Sequence, residues 1–275
     1  MTSQTISFIG GGNMARALVG GLLRRGWAAG RIRVADPSAD ARDHLRDSFH
    51  GIHVLDDNLA AATGAETWVL AVKPQQMKAV ATSLAPLAQE AGPLVISIAA
   101  GIRSGDLHAW LGSAASVIRC MPNRPAVIGA GITAIHGGPG LGAGLRRRAA
   151  DVLSAAGECV WVEDESLLDA VTAVSGSGPA YVFLLIEMLE SAAQAEGIDA
   201  ATARKLAIET VFGAARLARE SGERPEVLRD QVTSPGGTTA AALGVLEGAG
   251  IRDTFARAVH AATLRSRQLA GGTGK

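Results

Sequence analysis

The segment ISFIGGGNMARAL places Gly10, Gly12 and Ala15 in a GxGxxA spacing, directly after a β-branched run and at the head of a helical pattern. Each position has a physical reason. Gly10 permits the tight turn, Gly12 lets the backbone approach a pyrophosphate, and a small Ala15 allows close helix packing. The N–H groups of the helix start then face the anion. This is the chemistry of holding a dinucleotide. Asp36 follows the next strand-like run, where a carboxylate accepts hydrogen bonds from an adenosine ribose 2′-OH and repels a 2′-phosphate. Ser38 and Arg42 lie just beyond it and would cradle that phosphate if Asp36 pointed away, so NADH and NADPH both stay open.

AVKPQQM closes another strand-like run at the edge where open α/β sheets bind ligands. Pro74 has no N–H and suits the first helical position, while Lys73 at a strand end reads as solvated rather than catalytic. We assign this loop to backbone contacts with the nicotinamide half. SIAAG ends the following strand in small residues, which leave room for a flat ring. The cofactor set is therefore Gly10, Gly12, Asn13, Met14, Asp36, Ser38, Asn58, Ala71, Val72, Lys73, Pro74, Ala99, Ala100 and Asn123.

The elements that must position these residues show in the periodicity. ISFIG, IRVAD, WVLAV, LVISIAA and SVIRC read as strands; residues 14–25, 39–49, 75–84 and 104–111 between them read as helices. Such alternation implies βαβ units and a Rossmann-type, doubly wound parallel sheet covered on both faces. GITAIH and ECVWVED add strands at the far edge around a helix over 145–156. After Glu163 only helical spacing remains, so the chain divides into an α/β dinucleotide-binding domain at 1–163 and an all-α domain at 164–275. AYVFLLIEML is apolar around nearly its whole circumference and must be enclosed, for which a subunit interface is the expected solution.

The totals exclude several classes. With 275 residues, 48% hydrophobic and 19% charged, the chain can bury a real core; only the GGTGK tail reads as disordered. Its 26 basic and 26 acidic residues cancel, which leaves no footprint for nucleic acid. The N-terminus lacks a signal-peptide pattern and no uninterrupted apolar run reaches membrane-spanning length, so a soluble cytoplasmic protein is expected, with no membrane partner. Cys120 and Cys159 have no CxxC spacing, and the six histidines form no metal-ligand pattern, so no metal is expected.

Three stretches remain unexplained by fold alone: RCMPNRPAV after a strand, AVSGSGPAYVF between two helical patterns, and VTSPGGTTAAAL near the end. A nucleophile elbow fails, because Ser175 occupies the first glycine position around Ser177. The glycine-rich GGPGLGAGL lacks the GK[ST] ending of a P-loop. We read Ser175–Pro179 as a break between two helices where the domains meet.

These blocks, with FIGGGNMARAL, AVKPQ, SIAAG and DQVTSPGGTTAAALGVLE in order, make the chain resemble the pyrroline-5-carboxylate reductases. The resemblance covers residues 6–247, and SPGGTT is its most specific block. It implies a Rossmann domain followed by a helical dimerisation domain, a homo-oligomer that is a dimer or a decamer built as a pentamer of dimers, and NADPH or NADH as cofactor. It further implies that a small cyclic imine carrying a carboxylate is reduced to L-proline between the two domains of neighbouring subunits. On that reading, Gly236 and Gly237 free the backbone so that the N–H groups of Gly237, Thr238 and Thr239 converge on the carboxylate at the start of a helix over 239–247. Thr239 is the expected catalytic hydroxyl, orienting the ring nitrogen, with Thr238 as the other choice; Ser175 and Ser234 complete the substrate set. Arg124 departs from the family's usual Thr in MPNTP. Two rivals stand beside this: a 3-hydroxyacid dehydrogenase of the same layout, for which Lys205 is the sole bundle lysine, and a non-catalytic cofactor-binding protein.

Overall fold

The computed structural model describes residues 4–272. Contacts divide the chain into two units, Met1–Ser177 with Ala261–Lys275, and Gly178–His260.

In the first unit the expected strands form as β1 (Ile6–Ile9), β2 (Ile32–Ala35), β4 (Thr67–Leu70), β5 (Leu94–Ser97), β6 (Ser116–Met121), β7 (Gly131–Gly137) and β8 (Gly157–Trp161). A short β3 (His53–Leu55) joins them at the edge beside β2. The helices are α1 (Asn13–Arg24), α2 (Ala39–Ser48), α3 (Asn58–Ala62), α4 (Pro74–Ala91), α5 (Ser104–Leu111), α6 (Ala143–Leu153) and α7 (Leu167–Val171). The sheet order is β3-β2-β1-β4-β5-β6-β7-β8. The order of strand addition reverses between the parallel β1 and β4, the switch point of a doubly wound sheet. One pair departs from the expected parallel arrangement: β7 runs antiparallel to β6. Their link is a single 3-10 turn at Arg124–Ile128, too short for the crossover that parallel pairing needs.

Strand side chains alternate between two cores. Phe8 and Val69 pack with Leu18 and Leu22 of α1 on one face; Ile9, Trp68 and Leu70 pack with Met77 and Leu84 of α4 on the other. Trp68 also satisfies its indole N–H, which donates to the Ala65 carbonyl at 3.0 Å. The helix α4 continues past its expected end and through Pro86. Burying Leu84 and Ala88 on one face outweighs the single hydrogen bond that the proline removes. It stops at Gly92, whose left-handed φ of 56° suits a C-cap.

The second unit holds α8 (Gly178–Ala195), α9 (Ala200–Ser221), α10 (Pro225–Gln231), α11 (Thr238–Gly248) and the first part of α12 (Ile251–Gly272). Asp199 caps α9 by accepting the Thr202 N–H at 3.1 Å. Helices α8 and α9 pack on each other, and Tyr181 meets Phe255 edge-on at 5.7 Å. Helix α12 runs into the tail expected to be disordered; residues 273–275 of that tail lie outside the described ones.

Ser175–Pro179 is not the break expected. Thr172–Gly176 form a π-helical turn, closed by the Ser177 N–H donating to the Thr172 carbonyl at 2.8 Å, and the run continues into α8. Pro179 has no N–H to offer the Ser175 carbonyl one turn back. That carbonyl instead accepts from Asn123 Nδ2 at 3.1 Å. Joined in this way, Leu167–Ala195 is long and apolar enough to cross a membrane by length and composition alone, although Asp169, Glu187 and Glu190 interrupt it.

Candidate functional site

The turn after β1 is built by backbone constraints that glycine alone meets. Gly10 has φ of 104°, and a Cβ there would lie 2.7 Å from the Ala71 carbonyl oxygen. Its N–H donates to Ala35 O at 2.8 Å, while the Ala71 N–H donates to Ile9 O at 2.8 Å. The turn is thereby tied to β2 on one side and β4 on the other. Gly12 is the N-cap of α1, and a Cβ there would meet nothing within 4 Å. The first bond onto its carbonyl comes from the Arg16 N–H at 3.0 Å, so the first-turn N–H groups have no acceptor within the helix. An open glycine ahead of free N–H groups fits a dinucleotide pyrophosphate.

The remaining cofactor residues of the sequence reading follow the carboxyl ends of parallel strands. Asp36 and Ser38 follow β2; Asn58 opens α3 after β3; Ala71, Val72, Lys73 and Pro74 follow β4, with Lys73 the N-cap and Pro74 the first residue of α4. Ala99 and Ala100 follow β5, and Asn123 follows β6. One sheet edge therefore carries them all. Asn13, Met14 and Asn123 also line one cavity of about 530 Å³ with Met121, Pro122 and Gly176. Arg16, Arg24 and the unexpected Arg124 stand on its wall. The side chain of Asn123 is already committed: besides the Ser175 carbonyl, its Oδ1 accepts the Ile132 N–H at 2.9 Å. It works as a brace between β7 and the π turn. The Ser175 hydroxyl donates to the Val171 carbonyl at 3.1 Å.

In the second unit, SPGGTT folds as a turn leading into α11. Gly236 has φ of 68°, and the Gly237 N–H donates to the Ser234 carbonyl at 3.0 Å. Gly237 is therefore no donor to a ligand, which corrects the expected set. The helix starts at Thr238, one residue earlier than expected, with Gly237 as an N-cap that has no side chain to cap with. Its first return bond is from the Ala241 N–H to Gly237 O at 3.1 Å, so the free donors belong to Thr238, Thr239 and Ala240. Neither threonine hydroxyl serves as a cap.

Two features escaped the sequence reading. Gly11 donates its N–H to Asp36 Oδ2 at 2.8 Å, and a Cβ there would sit 2.7 Å from Leu45 Cδ1. The three consecutive glycines were its only signal. The second is a polar latch of Arg119, Glu165 and Ser104. Glu165 accepts the Ser104 N–H at 2.7 Å and its hydroxyl at 2.6 Å, and pairs with the buried Arg119 at 3.2 Å. It anchors the far end of the loop between β5 and α5 that contains Ala99 and Ala100. Burial works against the Glu165 charge, but the Ser104 bonds and then Arg119 prevail and hold its pKa below the usual value. Among the described residues, no group of three or more His, Cys, Asp or Glu is placed to hold a metal ion.

A glycine turn at the switch point of a doubly wound sheet, followed by a helical segment, defines a dinucleotide-binding oxidoreductase of the Rossmann type. The "NADP oxidoreductase coenzyme F420-dependent" family matches residues 5–101, and "Pyrroline-5-carboxylate reductase dimerisation" matches residues 165–269. A pyrroline-5-carboxylate reductase of Pseudomonas aeruginosa is 44% identical, with 98% of each chain covered. The solved pyrroline-5-carboxylate reductase of Coxiella burnetii is 40% identical at a TM-score of 0.93, covering 98% of this chain and 99% of that one. That of Plasmodium falciparum, with NADP bound, is 27% identical at 0.85 and covers 98% and 99%. This chain belongs to the pyrroline-5-carboxylate reductase family. Its helical segment is the family's dimerisation part, and the chain is a homo-oligomer.

The apolar surface of α8 has its explanation there. Phe183, Leu184 and Met188 are 59%, 54% and 52% exposed, an arrangement that water penalises and a second copy relieves.

Proposed function

We propose that this chain reduces 1-pyrroline-5-carboxylate to L-proline with NADH or NADPH, in the cytoplasm, as the last step of making proline. The observation that carries it is the pairing, in one chain, of an open glycine turn for a dinucleotide with the SPGGTT turn. The latter's helix start offers free N–H groups and two uncapped hydroxyls in place of a fixed charge.

The substrate carboxylate is held by the N–H groups of Thr238, Thr239 and Ala240, at the positive end of α11. With no arginine or lysine in SPGGTT, a protonated ring nitrogen is tolerated beside it. The bound cofactor supplies a hydride to the C=N carbon; the π electrons of that bond pass to nitrogen, which ends as the secondary amine of proline. An iminium is already electrophilic, so positioning outweighs acid–base catalysis. Thr239 orients the ring through its hydroxyl, with Ser234 on the same turn. Gly10, Gly12, Asn13 and Met14 hold the pyrophosphate end; Ala71–Pro74 and Ala99–Ala100 present backbone to the nicotinamide end. Asn123 acts through the brace described above. We retain 1–163 and 164–275 as the functional division, and a decamer, five dimers, as the larger assembly, which light scattering distinguishes from a dimer.

Lys205, the residue a 3-hydroxyacid dehydrogenase would need, is exposed on α9. The test is loss of NAD(P)H absorbance on adding pyrroline-5-carboxylate, and the reverse reaction with proline at high pH. Turnover of hydroxyisobutyrate without turnover of pyrroline-5-carboxylate would overturn the proposal in favour of that rival.

A further inference from the structure

We infer that the loop between β2 and α2 makes this chain select NADH over NADPH. The inference rests on the reading that the Gly10–Asn13 turn holds the dinucleotide. It settles what the residue types alone leave open, namely whether Asp36 points away from the ribose position and lets Ser38 and Arg42 hold a 2′-phosphate.

Asp36 does not point away. Its Oδ2 accepts the Gly11 N–H at 2.8 Å, and its Oδ1 accepts the Ser38 N–H at 2.9 Å. Both oxygens are thus pinned by backbone donors, one of them inside the pyrophosphate turn itself. Its own N–H is held by Leu55 O at 3.1 Å, so the backbone is fixed as well. A Cβ on Gly11 would come within 3.3 Å of Asp36 Cβ, so the two residues lie in direct contact. Rotating the carboxylate outward would leave the N–H of the buried Gly11 without its partner. Each oxygen keeps a second lone pair, which suits the hydroxyls of an unphosphorylated ribose. A 2′-phosphate would bring a second anion against a carboxylate that cannot retreat.

The groups nearest that phosphate already hold the loop in place. The Ser38 hydroxyl accepts the Ala41 N–H at 3.3 Å as the N-cap of α2. Arg42 Nη1 donates to the carbonyls of Asp36 and Pro37, both at 2.9 Å, and so clamps the loop in the conformation that presents the carboxylate. Arg42 is in this way a positioning residue for Asp36 and not a phosphate ligand. Asp40, in the first turn of α2, adds another negative charge to the same loop.

The experiment is calorimetric titration of the full-length oligomer with NADH and with NADPH, without substrate, repeated on Asp36→Asn and Arg42→Ala, with kcat/KM for both cofactors alongside. The wild type is expected to bind NADH about tenfold or more tightly than NADPH. Asp36→Asn should narrow that ratio, mainly by strengthening NADPH. Arg42→Ala should weaken NADH at least as much as NADPH. Equal or tighter binding of NADPH by the wild type overturns the inference while leaving the dinucleotide reading in place; selective loss of NADPH in Arg42→Ala also overturns it. Binding of neither cofactor removes the dinucleotide reading and this inference with it. If Asp36→Asn fails to fold, the wild-type ratio and Arg42→Ala still decide.

Discussion

Gly12→Ala separates what the glycine turn does for folding from what it does for the cofactor. At Gly12 the backbone has φ of −68°, which any L-residue adopts, and an added Cβ meets nothing within 4 Å. The free protein should therefore lose no more than about 1 kcal/mol, the difference between glycine and alanine as an N-cap. The bound state is different, because the methyl occupies the space through which a pyrophosphate reaches the first-turn N–H groups. Charge-assisted hydrogen bonds are worth about 1.5–3 kcal/mol each, so losing one or two weakens binding by about 2–4 kcal/mol. That is roughly 30-fold to 1000-fold in Kd. Gly10→Ala is the contrasting control. With φ of 104° and a Cβ 2.7 Å and 2.8 Å from the Ala71 carbonyl oxygen and carbon, it collides with backbone. It should cost about 3 kcal/mol or more in the absence of any ligand. Titration calorimetry with NADH and urea unfolding of both variants measure the two effects. Wild-type NADH affinity in a folded Gly12→Ala protein would refute the placement of the pyrophosphate.

Thr239→Ala should lower kcat by about tenfold or more while changing unfolding free energy by less than about 1 kcal/mol, since its hydroxyl caps nothing; unchanged kcat excludes Thr239 as the orienting group. Gly21→Ala should destabilise by several kcal/mol, about the range of severe overpacking, because its Cβ would lie 1.9 Å from the Ala155 carbonyl oxygen, where α1 meets the turn after α6. Urea midpoints check it. Glu165 has its pKa lowered in the fold, so its latch contributes stability above the unfolded value of 4.5 and loses it as pH falls through the lower folded value. Glu165→Gln should cost about 2 kcal/mol at pH 7, and the gap to wild type should close below pH 4.5; a constant gap refutes the assignment. Burial raises the pKa of both thiols, Cys159 to about 11 with Glu158 adding to the effect, so neither Cys120 nor Cys159 should react with a disulfide reagent at neutral pH before unfolding.

What could be read from the residues, and what could not, divides along one physical line. Strands such as Ile6–Ile9 and Thr67–Leu70 announce themselves because burial on both faces demands an apolar run, and the helices between them because one face must be apolar. Where an element buries little it leaves no such mark: β3 is a short edge strand beginning at an exposed His53, and α3 is five residues capped by Asp57. The antiparallel β7 was legible in principle, since the link from Met121 to Gly131 is too short for a crossover. Hydrogen-bond allocation was not. The types of Gly237, Asp36 and Asn123 each promise a donor or acceptor to a ligand. The fold spends the Gly237 N–H on Ser234, pins both Asp36 oxygens on Gly11 and Ser38, and turns the Asn123 amide into a brace. Each backbone N–H serves one acceptor well, so the donors left for a ligand are those the turn has not used. That remainder depends on which carbonyl closes each turn, a matter of dihedral angles that composition and spacing leave free. It is why the free N–H groups of the SPGGTT turn lie one residue further along than expected, on Thr238, Thr239 and Ala240, although the block itself was recognisable from its letters alone.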